Sequence, residues 1–272
     1  MTTSLVAAGT THPGLRRPTN EDSAYVGRRL LVVADGMGGV EFGEVASAIA
    51  THAVVYLDRC ISPQGITHDI AAAVEFAEYR LARAIERDPR RTGMGTTLTA
   101  LLLHDDAVAL VHVGDSRAYR LLGGTLEQLT RDHTFVQLLV EIGDLTPEAA
   151  EHHPHRHVIV KALQGSGDAV AADVQVRPAV PGERFLLCSD GLSDCVGREA
   201  IAAALAQAEP AAAAAALRDL ALAAGAPDNV TCVVADVVPG PAPRRPPPVL
   251  LGAATELDPW GHPTAEALHR AT

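Results

Sequence analysis

Short apolar runs punctuated by glycine and aspartate turns set the rhythm of this chain. Leu30, Leu31, Val32 and Val33 lie in a strand predicted from Arg28 to Ala34, which ends at Asp35-Gly36. Glu44–Arg59 and Asp69–Arg87 have helical spacing, and Pro89 stops the second. A strand-rich block follows: Gly95–His104, Ala107–Val113, Arg117–Leu122 and Leu126–Leu129. Its connections are Asp105-Asp106, Gly114-Asp115 and Gly123-Gly124, short enough to require antiparallel neighbours. His133–Ile142 reads as a short helix, and the polar stretch Leu145–His157 as a candidate mobile flap or surface excursion. Glu183–Ser189 is a further strand ending at Asp190-Gly191. The helices Glu199–Ala208 and Ala211–Ala223 follow, then a β-branched strand from Asn229 to Val238. Grouped helices and close antiparallel strands predict an α+β sandwich and argue against a parallel βαβ series.

Composition changes sharply after this. Pro239, Pro241, Pro243 and Pro246–Pro248 predict a stiff, extended linker. The expected division is a domain over residues 1–238 and a proline-rich linker with a short tail over 239–272. The tail, with the single tryptophan Trp260, is too short to fold alone and is expected to be disordered. Its alternatives are a docking tail or an edge packed on the domain.

The 272 residues are 47% hydrophobic and only 3% aromatic, so a sizeable core must be aliphatic. A formal net charge of −11 argues against nucleic-acid binding. No run approaches the ~18–20 apolar residues of a membrane helix. Cys60, Cys188, Cys195 and Cys232 form no CxxC pair, and residues 1–9 lack the pattern of a secretion signal. Reduced thiols, a cytoplasmic location and a monomer are therefore expected.

Acidic residues recur where strands end: Asp35-Gly36, Gly114-Asp115-Ser116, Asp190-Gly191, Asp228-Asn229, with Asn20-Glu21-Asp22 upstream. Each Asp-Gly alone is an ordinary turn. Converging carboxylates, however, repel unless a cation lies among them, and an oxygen-only set suits Mg²⁺ or Mn²⁺. Spacing alone leaves convergence open.

Six segments, in order, resemble the motifs of the metal-dependent PPM (PP2C-type) serine/threonine phosphatases. They are Arg17–Asp22, Val33–Gly39, Gly93–Thr97, Val113–Arg117, Cys188–Asp194 and Asp228–Thr231, within a match from about Leu5 to Val238. The overall look is closest to bacterial members that partner with eukaryotic-like kinases. The resemblance implies a four-layer αββα sandwich. It also implies that Asp35 bridges two Mn²⁺ or Mg²⁺ ions, with Asp190 and Asp228 completing the first site. Glu21 and the Gly36 carbonyl would serve the second, and Asp22 would hold metal-bound water. Asp115 with Asp190 matches a weaker third site, and Arg17 the phosphate-binding arginine. Two ions about 3.5–4 Å apart activate a bridging hydroxide for direct in-line attack on phosphorus, with no covalent intermediate. Arginine can grip two phosphate oxygens at once, which lysine cannot. The implied substrates are phosphorylated proteins, a serine/threonine kinase among them.

Two departures stand out. Met37 occupies the place where many eukaryotic members have a histidine proposed as general acid, so that role is unassigned. Thr11-His12-Pro13-Gly14 replaces the usual Ser-Asp-x-Gly. His152, His153, His155 and His157 suit a transition-metal site, but their polar surroundings favour a solvated segment. His112, inside a strand, is expected to be a satisfied sheet residue. The competing function is a catalytically weak phosphoprotein-binding regulator, whose signature would be a missing ligand; every core ligand position is filled. A stress- or sporulation-type relative would carry a sensor domain, for which this length leaves no room.

Overall fold

The computed structural model describes residues 2–38, 42–59, 61–62, 64–167, 170–242 and 247–270. Gly39 of the second motif, Cys60, and Pro243 and Pro246 of the linker lie outside the described residues. In chain order the elements are β1 (Thr3–His12), β2 (Ser23–Val26), β3 (Leu30–Ala34), β4 (Gly36–Met37), α1 (Gly43–Val54), α2 (Ile66–Arg87), β5 (Gly95–Thr96), β6 (Leu98–His104) and β7 (Ala107–Val113). There follow β8 (Arg117–Leu122), β9 (Thr125–Gln128), α3 (Phe135–Glu141), α4 (Pro147–Glu151), β10 (Asp173–Pro178), β11 (Arg184–Cys188) and α5 (Asp190–Ser193). The last are α6 (Arg198–Leu205), α7 (Pro210–Ala223), β12 (Val230–Pro239), β13 (Val249–Gly252) and α8 (Ala265–Arg270).

One sheet runs β1-β12-β11-β8-β9 and the other β10-β7-β6-β3-β2-β13, every pairing antiparallel. Alternation along the central strands explains the layers. Leu31 and Val33 of β3 meet Phe185 and Leu187 of β11 and Val233 and Ala235 of β12 between the sheets. Leu30 and Val32 face the other way, onto Val45 and Ile49 of α1 and Ile70, Ala77 and Leu81 of α2. Leu186 and Cys188 turn outward onto Ile201 and Leu205 of α6 and Leu217 of α7. Both faces of these strands are covered, which is why they read as unbroken apolar runs. The result is the four-layer αββα sandwich expected from the sequence.

Several elements depart from expectation. The predicted Gly95–His104 strand is broken at Thr97, and β5 leaves to pair with β4 as a two-stranded ribbon. The break comes where Thr97 bonds Asp35 twice: its N–H donates to the Asp35 carbonyl, and its Oγ1 accepts from the Asp35 N–H, both at 2.9 Å. The excursion 145–157 contains α4, capped by Thr146 Oγ1. The tail is ordered where disorder was expected: β13 pairs with β2 across Val249↔Val26 to Gly252↔Ser23, the packed-edge alternative. β1, β2 and β10 are strands that pattern reading missed. Among the described residues no helix is long and apolar enough to cross a membrane, and Cys188, Cys195 and Cys232 are free thiols.

Candidate metal centre

Strand register brings the acidic turns to one end of the sandwich. Ser23 pairs with Ala34, so Asp22 before β2 and Asp35 after β3 are neighbours. Cys188 pairs with both Arg117 and Cys232, so the turns holding Asp115, Asp190 and Asp228 share that rim.

Asp22 is wholly buried. Its Oδ2 accepts hydrogen bonds from Ser189 Oγ at 2.8 Å and Thr231 Oγ1 at 2.6 Å, while Oδ1 is buried without a protein partner. Burial pushes its pKa up to about 6 against those two bonds, with Asp228 and Glu21 adding repulsion. Asp35 and Asp190 are held well above the carboxylate range, first by desolvation and then by neighbouring aspartates: Asp22, Asp190, Asp115 and Asp228 around Asp35, and Asp115, Asp194, Asp228 and Asp22 around Asp190. Asp115 is raised to about 7 by burial, then by Asp132 and Asp194. Desolvation also raises Glu21, with Glu44 adding to it. A ring of carboxylates that repel one another in a buried rim is stable when a cation lies among them.

The backbone fits that purpose. A Cβ on Gly36 would fall 2.2 Å from the Gly43 carbonyl oxygen and 2.6 Å from that of Glu21. One on Gly43 would fall 2.3 Å from Glu21 Oε2. Only glycine lets these carbonyls and the Glu21 carboxylate crowd together. Asn229 fixes the other side: its Oδ1 accepts from the Glu21 N–H at 2.8 Å, and its Nδ2 donates to the carbonyls of Pro13 and Thr19, both at 2.9 Å. Arg17 stands half-exposed at the edge and donates from Nη2 to Asp228 Oδ2 at 2.7 Å. All eight sequence-selected residues, Arg17, Glu21, Asp22, Asp35, Gly36, Asp115, Asp190 and Asp228, therefore lie on this rim.

The tightest trio among the described residues includes two that were not selected. Ligating atoms of His157, Asp190 and Asp194 all lie within 4.8 Å of one another, and His157 Nδ1 is 3.3 Å from Asp194 Oδ2. Asp194 ends a quoted motif four residues after Asp190, one helical turn along α5, and that spacing could have revealed it. His157 was read as part of a solvated histidine run. His153 and His155 do stay exposed, their rings 5.6 Å apart. His112 is the satisfied sheet residue expected, bonded to Thr99 Oγ1 and the Arg131 carbonyl, both at 3.0 Å, and burial lowers its pKa to about 4. Arg117 grips Asp132 through Nε and Nη2, at 3.0 and 2.6 Å, bracing the turn that presents Asp115.

An all-oxygen rim with an orphaned buried carboxylate oxygen and a glycine cradle defines a protein built to hold hard divalent cations. Residues 18–225 match the family model for protein phosphatase 2C. The chain belongs to that family. It is 49% identical over 225 residues to the serine/threonine protein phosphatase PstP of Mycobacterium tuberculosis, covering 83% of this chain and 43% of PstP. This chain thus spans less than half of that relative's length. It is 34% identical over 193 residues to the protein phosphatase PhpP of Streptococcus pneumoniae, covering 68% of this chain and 78% of PhpP. The crystal structure of the PstP catalytic domain in complex with two manganese ions superposes with a TM-score of 0.81 at 47% identity, over 87% of this chain and 100% of that one.

Proposed function

We propose that this chain is a metal-dependent protein phosphatase that hydrolyses phosphoserine and phosphothreonine. The observation that carries the reading is the carboxylate rim with Arg17 at its edge, in a chain resembling a serine/threonine phosphatase catalytic domain that holds two manganese ions. Asp35, Asp190 and Asp228 would hold one Mn²⁺ or Mg²⁺ ion. Asp35, Glu21 and the Gly36 carbonyl would hold a second. Asp115 and Asp190, joined by Asp194 and His157, supply a weaker third site. When bound, the ions supply an activated water and neutralise charge developing on the phosphoryl oxygens.

The chain's own residues do the rest. Asp22, fixed by Ser189 and Thr231, orients water through its free Oδ1. Arg17 binds the phosphate: Asp228 engages Nη2, and the guanidinium fork offers further N–H groups for two oxygens. Met37 has no proton to give, so the leaving alkoxide takes its proton from water at the open rim. Phosphorylated proteins, a serine/threonine kinase among them, are the proposed substrates. The cytoplasm as compartment and a monomer as active form carry over from the sequence reading.

The test is release of phosphate from a phosphothreonine peptide with Mn²⁺, without it, and with EDTA. Release that needs Mn²⁺, stops with EDTA and is lost in a folded Asp35→Asn variant supports the reading. Wild-type turnover in Asp35→Asn refutes it. No release with any metal from a folded protein turns the reading to a phosphoprotein-binding module.

A further inference from the structure

The C-terminal segment lies beyond the family match, which ends at residue 225, yet it reaches the centre's backbone. β13 hydrogen-bonds along β2 and ends at Gly252, just before the peptide that follows Asp22. Gly252 has φ +66°, and a Cβ there would fall 2.1 Å from the Asp22 carbonyl oxygen. The next two N–H groups are both committed to this region. Ala253 N–H donates to the Asp22 carbonyl at 2.9 Å, and Ala254 N–H to Ser23 Oγ at 3.1 Å. Ser23 and Ser47 are wholly buried, with their hydroxyl oxygens 2.9 Å apart. Ser47 Oγ donates to the Glu21 carbonyl at 2.5 Å. A hydroxyl has one proton to give. The chain of donors therefore runs one way: Ala254 N–H to Ser23, Ser23 to Ser47, Ser47 to the Glu21 carbonyl.

The far end of the segment is pinned separately. His52 Nε2 lies 3.1 and 3.0 Å from the carbonyl oxygens of Ala254 and Leu257. Trp260 has the guanidinium carbons of Arg80 and Arg87 each 4.7 Å from its ring. Arg80 is buried with Nε and Nη2 lacking hydrogen-bond partners, so Trp260 supplies much of what compensates its charge. Arg91 Nη2 donates to the Gly261 carbonyl at 3.0 Å.

We propose that residues 249–261 form a positioning strap that sets the Glu21–Asp22 backbone, and so the divalent-cation affinity of the centre, with Trp260 as its clasp. The inference rests on the metal-site reading given above. Partners that orient metal ligands typically alter affinity by about 10–100-fold. The strap touches no substrate, so its loosening acts on metal affinity and spares turnover once metal is saturating.

The experiment titrates Mn²⁺ calorimetrically into the full chain and into Trp260→Ala, Trp260→Phe and Gly252→Ala, with Asp35→Asn as reference. Trp260→Ala and Gly252→Ala should bind Mn²⁺ about tenfold more weakly. Trp260→Phe, which keeps an aromatic face, should stay near the unaltered chain, and kcat at saturating Mn²⁺ should change less than about twofold. Unchanged affinity in Trp260→Ala and Gly252→Ala, whatever their melting temperatures, overturns the strap if Asp35→Asn does lose affinity. If Asp35→Asn also keeps its affinity, the metal-site reading itself falls. Should both strap variants fail to fold, the unaltered chain decides, because coupling is reciprocal. Saturating Mg²⁺ should then reduce acrylamide quenching of the sole tryptophan, and unchanged quenching overturns the proposal.

Discussion

Removing divalent cations should leave this protein less stable at pH 8 than at pH 5.5. Asp22 has its carboxyl held at about 6 when 3.8 is ordinary, mainly by desolvation, and Asp115 is held at about 7. The folded-state value lies above the unfolded one. The native chain therefore keeps protons between about pH 4 and 7 that the unfolded chain has released, and stability falls as pH rises through that window. For Asp22 alone, full ionisation in its buried position costs about 3 kcal/mol at 1.36 kcal/mol per pH unit. Asp35 and Asp190 act in the same direction. In a chain of this size about 3 kcal/mol corresponds to roughly 6–10 °C in Tm. The assay is thermal unfolding of protein stripped with a chelator and exchanged into metal-free buffer, at pH 5.5 and pH 8, then repeated with Mn²⁺. Melting should be lower at pH 8 without metal, and Mn²⁺ should remove most of the deficit. A metal-free Tm at pH 8 equal to or above that at pH 5.5 would refute the reasoning.

Two further substitutions test other parts of the structure. Arg17→Lys should raise KM for a phosphothreonine peptide about tenfold while kcat changes less than about threefold, because a point charge replaces a fork; an unchanged KM removes Arg17 from phosphate binding. Glu183 is fully buried, its Oε1 accepting from Arg120 at 3.0 Å and Arg177 at 3.2 Å and its Oε2 from the Val180 N–H at 3.0 Å. Glu183→Gln should cost about 3 kcal/mol in urea unfolding with Mn²⁺ present, and a loss under about 1 kcal/mol would show that the arginines find other partners.

The strands most legible in the sequence are those covered on both faces. β3, β7, β11 and β12 are continuous apolar runs ended by turn residues, and each stands within two residues of its expected bounds. The strands that escaped notice sit at or near sheet edges. β10 shows Val174 and Val176 to solvent and ends in Pro178, so neither its pattern nor its composition marks a strand. β1 mixes threonine, alanine and glycine, and its half-exposed register carries little hydrophobic contrast. β13 follows a proline-rich stretch and is only four residues long; its place depends on a partner, β2, far back in the chain. The site was legible because its ligands sit in contiguous motifs. His157 was not, because what draws it to Asp194 is tertiary and no local spacing records it.

The ladder between β1 and β12 joins the two ends of the catalytic domain, His12 opposite Val230 and Thr3 opposite Pro239. Contacts so distant in sequence close late in folding, after most of the chain's entropy has been lost. Asp228 stands immediately ahead of β12, and Asp22 waits for Thr231 from the same strand. A nascent chain still short of that strand thus holds an incomplete ring, however much of either sheet has formed. Cation capture becomes a closing event of synthesis, and a prematurely ended product is inert toward phosphate from the outset.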